Sequence, residues 1–360
     1  MAQPGTTPPP AEPGRRSGRF RWLKWVLGVA LVALLAVEGT IMWPLLSEYW
    51  QALTEIHWGW VAACVAAQAV SLSAYSAVQQ RLLRAANVIA GHWKNVSVIY
   101  ASTAMALTLP AGQVFSTAFT YKQTRKWGAT PVVASWQLAM CGVIASVTLA
   151  LLGATGAVAF GSKVSPVTMT ISIAGMIVLF IGLRYIARNP GSLERIGHRI
   201  LAWYNRFRKN ETGRGMRRWS QILGQLDSVQ LGNTDTAAAF GFSVTHRVAD
   251  LLCLGFACWA VGSDPSFAGL LIAFTAAKAV GSIPLLPGGL GAVEPVLAVA
   301  LTVAGSSAAQ AAAAVFVYRI VSLVLVALAG WLVFLISFRA THHEDPELNL
   351  AYESRDQPGN

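Results

Sequence analysis

The sequence predicts an all-α integral membrane protein with six full spans and two re-entrant hairpins arranged as an inverted repeat. Three observations lead there. Of the 360 residues, 54% are apolar and 12% charged, against roughly 25% charged in an ordinary soluble domain, and mean hydropathy is +0.51. Six apolar runs approach or exceed the roughly 20 residues needed to cross a bilayer. Two further apolar regions are interrupted by proline and glycine. This composition excludes soluble enzymes, disordered scaffolds and nucleic-acid modules. In so apolar a chain, a net charge of +11 reports membrane orientation rather than a nucleic-acid partner.

Residues 1–19, rich in Pro, Gly, Thr and Arg, read as a disordered tail ahead of a membrane domain over 20–338. The first span, 22–46, is too long for the apolar core of a cleaved signal peptide and is expected to be a retained anchor. The other spans are 56–78, 131–157, 165–187, 236–260 and 308–338, and a polar tail occupies 339–360. His342 and His343 belong to that tail and are not taken as metal ligands. Cys64, Cys141, Cys253 and Cys258 lie in apolar runs without ligand spacing and read as small buried hydrophobes.

Region 96–121 is broken at Leu109-Pro110-Ala111-Gly112, and region 266–304 at Ile283-Pro284-Leu285-Leu286-Pro287-Gly288-Gly289-Leu290-Gly291. Proline removes a backbone donor and glycine loosens the chain. Each break therefore frees main-chain polar groups at membrane depth, where they survive only against protein or a water-filled cavity. A kinked continuous helix is the alternative for the first region, and charge placement argues against it. Arg15, Arg16, Arg19, Arg21 and Lys24 put the N-terminus inside, and Arg81, Arg84 and Lys94 are inside again. Only if 96–121 turns back at Pro110 do Lys122, Arg125 and Lys126 stay inside as well. The loop 188–235 carries nine Lys or Arg against four acids, and it and the C-terminus are also cytoplasmic.

A gapless shift of 177 residues places Pro110 on Pro287, Gly112 on Gly289, Gly128 on Gly305 and Gly153 on Gly330. Each half, 56–157 and 236–338, then reads span, hairpin, span, and the two start from opposite sides. Inverted repeats with broken helices at the midplane are a recurring transporter plan. Between the halves, Leu193, Ile196, Ile200, Tyr204 and Phe207 recur at helical spacing among Arg195, Arg199, Arg206, Arg208 and Lys209. That stretch reads as a basic amphipathic connector in the cytoplasmic headgroup layer.

Ionisable residues at membrane depth are costly, and they mark candidate sites. Asp250 is three residues from Arg247 and four from His246, so one helix face can hold a pair. Lys278 precedes the second break, Glu294 follows it, and Tyr318-Arg319 sit mid-span; Glu38 lies in the first span. These charges either lock helices together or line a cavity for an anionic or zwitterionic headgroup, and both readings stand at this point. A helix beginning near Gly289 would aim free N–H groups at such an anion.

The run Pro287-Gly288-Gly289-Leu290-Gly291-Ala292-Val293-Glu294, with the later Tyr318-Arg319, resembles the membrane region of the lysylphosphatidylglycerol synthase and flippase family. The similarity extends over about residues 50–338. Gln113 departs from the Glu that the family often carries after the first-half Gly. The resemblance implies a stand-alone flippase-like member that moves a phospholipid or lipid-linked intermediate between leaflets of a bacterial plasma membrane. Pro110, Gly112, Gln113, Arg247, Asp250, Lys278, Pro287, Gly288, Gly289, Gly291, Glu294, Tyr318 and Arg319 are the candidate translocation residues. Catalytic residues, metals and cofactors are not expected, and no nucleotide-binding loop is present. The partners expected are membrane lipids, either anionic or amino phospholipids, together with envelope-synthesis enzymes. A non-transporting partner protein and a headgroup-modifying enzyme are the alternative classes.

Overall fold

The computed structural model describes residues 56–159, 232–282 and 287–338. The spans 22–46 and 165–187, Glu38, the amphipathic segment, residues 283–286 and both tails lie outside the described residues. The described residues contain helices and turns but no strand. In chain order the helices are α1 (Trp58–Ala85), α2 (His92–Thr108), α3 (Gly112–Lys126) and α4 (Pro131–Ala159). Next come α5 (Asn233–Ala260), α6 (Phe267–Gly281), a 3₁₀ turn (Pro287–Gly289), α7 (Val293–Val303) and α8 (Ala308–Arg319). A π-helical turn (Ile320–Leu325) leads into α9 (Val326–Ser337). Among the described residues, α1, α4, α5 and the continuous run Ala308–Ser337 are long and apolar enough to cross a membrane.

Local chemistry sets the helix ends. Thr130 accepts the Val133 N–H at the start of α4, whose first residue is Pro131, where a missing donor costs nothing. Ser266 caps α6 by accepting from Gly269, and Ser307 with Gln310 forms a capping box on α8. Helix α1 continues past residue 78, where the apolar run ends, and two of its last polar residues, Gln80 and Arg81, find partners. Gln80 donates to the Ala90 carbonyl at 3.1 Å, and Arg81 lies 3.8 Å from Asp235.

Helices α1 and α5 pack antiparallel along their lengths. The His57 N–H donates to the Ala260 carbonyl at one end, and Arg81 meets Asp235 at the other. The Cys64 and Cys253 thiols touch between them, 2.8 Å apart, and all four cysteines are buried and free, as small hydrophobes would be. The interrupted regions form two helical hairpins, α2–α3 and α6–α7. The second opens at the Ala260 end of the bundle, where the Ser266 N–H donates to the Ala304 carbonyl and the Ser263 and Ser306 hydroxyls lie 2.7 Å apart. The first opens at the opposite end, where Ala90 and Ala129 share a buried cluster with Leu82 and Leu83. The hairpins thus penetrate the bundle from opposite ends.

Helix boundaries recur at the same offset of 177 residues. Pro131 and Ala308 begin α4 and α8, and Lys126 and Val303 end α3 and α7. The turns that follow each hairpin carry Gly128 and Gly305, both at positive φ. Packing repeats too: α4 lies on α6, and α9 lies on α2. In the latter contact the Trp331 indole N–H donates to the Thr108 hydroxyl at 3.1 Å, both residues being buried. Thr108→Val, nearly isosteric, leaves that indole unpaired and is expected to cost about 1–3 kcal/mol, read from the unfolding midpoint in detergent.

The hairpin tips meet inside the bundle. Ala111 adopts a left-handed conformation, and a Cβ on Gly112 would stand 2.5 Å from the Met105 and Ala106 carbonyl oxygens. Glycine lets α3 start directly against the end of α2. In the second tip Gly288 has φ +60°, and a Cβ there would lie 2.8 Å from Leu323 Cδ1 and 3.3 Å from the Leu107 carbonyl of the first tip. Helix α7 starts at Val293 and not near Gly289, because Gly288, Gly289 and Gly291 all take positive φ and hold the chain out of helix. Glu294 lies in its first turn, so an anion of the chain itself complements the free amides expected to face a ligand.

Candidate functional site

A cavity of about 910 Å³ opens where the two tips face α1, α4, α5 and the last span. Nine of the residues expected from sequence line it: Gly112, Gln113, Arg247, Asp250, Lys278, Pro287, Gly288, Tyr318 and Arg319. Pro110, Gly289 and Gly291 lie in the tip backbones and Glu294 sits behind Arg319; these four are outside the lining. Residues from both halves of the chain therefore share one partly open space beside the breaks.

The charges in this space are arranged in two sets and one remainder. Asp250, 3% exposed, receives Lys278 Nζ at 2.6 Å and the Tyr318 hydroxyl at 3.0 Å. The Lys278 ammonium also lies 5.3 Å from the Phe274 ring centroid and 5.9 Å from that of Tyr318, within cation–π range. The pairing anticipated along α5, Asp250 with Arg247 or His246, is replaced by one between helices. Neighbouring side chains on one face compete with any better-placed donor from another helix, and here the donors come from α6 and α8. His246 turns to α1 instead: its Nδ1 lies 2.8 Å from the Ser71 hydroxyl, and its ring packs on Tyr75.

The second set stitches the second tip. Arg319 pairs with Glu294, and both its terminal nitrogens donate to the Gly288 carbonyl at 3.2 Å. Glu294 is 1% exposed and Arg319 5%. A guanidinium is suited to this task because its planar fork serves a carboxylate and a carbonyl at once. The π turn begins at the next residue and contributes Leu323, which covers Gly288. Such turns recur at functional sites in helices.

The remainder is Arg247. It lines the cavity without an ion pair or hydrogen bond to the described residues, and its Nε is buried without a partner. Gln68 of α1 also lines the cavity with an unpartnered, buried Oε1. Sequence reasoning passed over Gln68 and Tyr75, although a glutamine within the apolar run 56–78 was a usable signal. Asp250→Asn removes the counter-charge of Lys278, whose side chain is 29% exposed to the cavity. The expected loss, about 1–3 kcal/mol in thermal unfolding, is smaller than for a fully buried partner.

Comparison with known proteins places these features in context. The model of a family described as the lysylphosphatidylglycerol synthase TM region matches residues 25–330. A UPF0104 membrane protein of Methanothermobacter thermautotrophicus is 28% identical over 163 residues, which is 44% of this chain and 48% of that protein. The aligned part of the chain thus spans about half the length of that curated relative.

Proposed function

The chain belongs to the family of the lysylphosphatidylglycerol synthase membrane region, and from that premise we propose that it is a lipid translocator, moving a phospholipid or lipid-linked intermediate between leaflets. The observation that carries this reading is the cavity: about 910 Å³, built from both hairpin tips and edged by charges between helices long and apolar enough to cross a membrane. A headgroup crossing a bilayer needs polar partners where lipid tails offer none, and this space supplies them.

In this reading the chain has six full spans, and the two hairpins are re-entrant halves of an inverted repeat. The recurrence of helix boundaries 177 residues apart and the approach of the hairpins from opposite ends support it. Its setting is a bacterial plasma membrane with both termini cytoplasmic. Rocking of one half against the other would expose the cavity to each leaflet in turn. The ion pairs Asp250–Lys278 and Glu294–Arg319 also favour a second reading, a non-transporting partner in envelope lipid synthesis, because both pairs fasten helices together.

Leaflet-resolved lipidomics of cells with and without the protein tests the proposal. The expected result is one phospholipid class redistributed between leaflets on loss of the protein. Unchanged leaflet composition across all classes would remove its support.

A further inference from the structure

We propose that the cavity selects a lipid whose headgroup is an anionic phosphodiester over one carrying a cationic amine, with Arg247 as the counter-charge. This rests on the lipid-handling reading above and sharpens its substrate class. Among the described residues three Lys or Arg side chains line the cavity, and two are engaged: Lys278 by Asp250, and Arg319 by Glu294 and the Gly288 carbonyl. Arg247 has no such partner among the described residues, and its Nε is buried. A partly buried guanidinium on the wall of a cavity between apolar helices calls for an anion, and its fork matches phosphate oxygens two at a time.

The acids point the same way. The Asp250 and Glu294 side chains are 4% and 1% exposed, and each already holds a cation. Among the described residues an ammonium headgroup entering the cavity would meet no open carboxylate, and the exposed Gln113 on its wall is a neutral amide. Gln68 adds a second independent feature: it is 9% exposed, with a buried Oε1 that no donor reaches. A half-turn of that amide offers its NH₂ to a phosphate oxygen. The apolar part of the wall, including Leu72, Leu107 and the 67%-exposed Val114, suits acyl chains rather than a soluble phosphate ester.

The test uses the full chain, captured from detergent micelles doped with phosphatidylglycerol or lysyl-phosphatidylglycerol, with retained lipid quantified by mass spectrometry. Phosphatidylglycerol is expected to be retained about tenfold over the lysyl lipid: both carry the phosphodiester, but the ammonium groups of the lysyl lipid meet the like charge of Arg247 and no open carboxylate. Arg247→Gln should bring the two lipids level. Gln113→Glu, on an exposed wall position that leaves folding intact, should raise retention of the lysyl lipid. Equal retention by the native protein overturns the proposal, as does a preference that survives in a folded Arg247→Gln protein. Should that variant not fold, the native ratio and the Gln113→Glu result still decide. Excess glycerol 3-phosphate should leave the retained lipid in place; displacement would make a soluble phosphate ester the ligand and refute the lipid assignment. Because retention is measured without a bilayer, a preference without transbilayer movement would sink translocation but leave this site standing. Movement without preference would do the reverse.

Discussion

Arg319→Ala is expected to destabilise the folded protein by about 3–5 kcal/mol and to abolish lipid movement. Glu294, 1% exposed, would lose its counter-ion, and the Gly288 carbonyl would lose both guanidinium donors. An uncompensated buried charge is among the largest penalties that one substitution can impose. Glu294→Gln should cost less, because the guanidinium keeps the Gly288 carbonyl. The double variant Arg319→Met, Glu294→Leu separates two roles of the pair. Replacing a buried pair with apolar residues of similar volume is often neutral for stability, so the unfolding midpoint should recover much of its loss. Lipid movement should not recover if the charges serve the passage. Recovery of both would reduce the pair to a staple between α7 and the last span.

Gly288→Val is expected to lower stability by about 2–4 kcal/mol and to reduce lipid movement to the background of protein-free vesicles. Two effects add at this residue. Its φ of +60° costs any side-chain residue about 1–2 kcal/mol, more for a β-branched one. The new Cβ would also overlap Leu323 Cδ1 at 2.8 Å and press on the Leu107 carbonyl at 3.3 Å. The end of Leu323 can swing aside, but the Leu107 carbonyl is backbone, so relief there parts the two hairpin tips by a few tenths of an ångström; either change reshapes the cavity wall. Unfolding in detergent and movement of a labelled lipid measure the two effects separately.

The tips were legible because proline and glycine leave a signature that no apolar background hides. Pro110, Gly112, Pro287 and Gly288 were expected at breaks: Pro110 lies in the turn between α2 and α3, Gly112 opens α3, and Pro287 and Gly288 lie in the 3₁₀ segment. Nine of the expected residues gather around one cavity: four of them, Arg247, Asp250, Lys278 and Arg319, are charges that, excluded from lipid, have few other places to go, and Gly112, Pro287 and Gly288 come with the hairpin tips. Pairing along α5 was less legible. Spacing along one helix suggested Asp250 with Arg247, whereas Lys278 and Tyr318 come from helices whose rotation is set by tertiary packing. The π turn after Arg319 likewise has no mark in the run Ile-Val-Ser-Leu-Val-Leu, which suits an ordinary helix equally well. Gln68 was missed because one amide in an apolar run reads as tolerated polarity until the space beside it is known.

Vesicles reconstituted with the full chain and symmetrically labelled with a fluorescent phosphatidylglycerol test the central claim most directly. A membrane-impermeant quencher is added from outside. If the cavity is a lipid passage, native protein lets the quencher reach nearly the whole labelled pool, and Gly288→Val restores protection of the inner leaflet. Quenching that stops at the outer-leaflet share with folded native protein, for that lipid and for its amino and lysyl counterparts, would contradict the account.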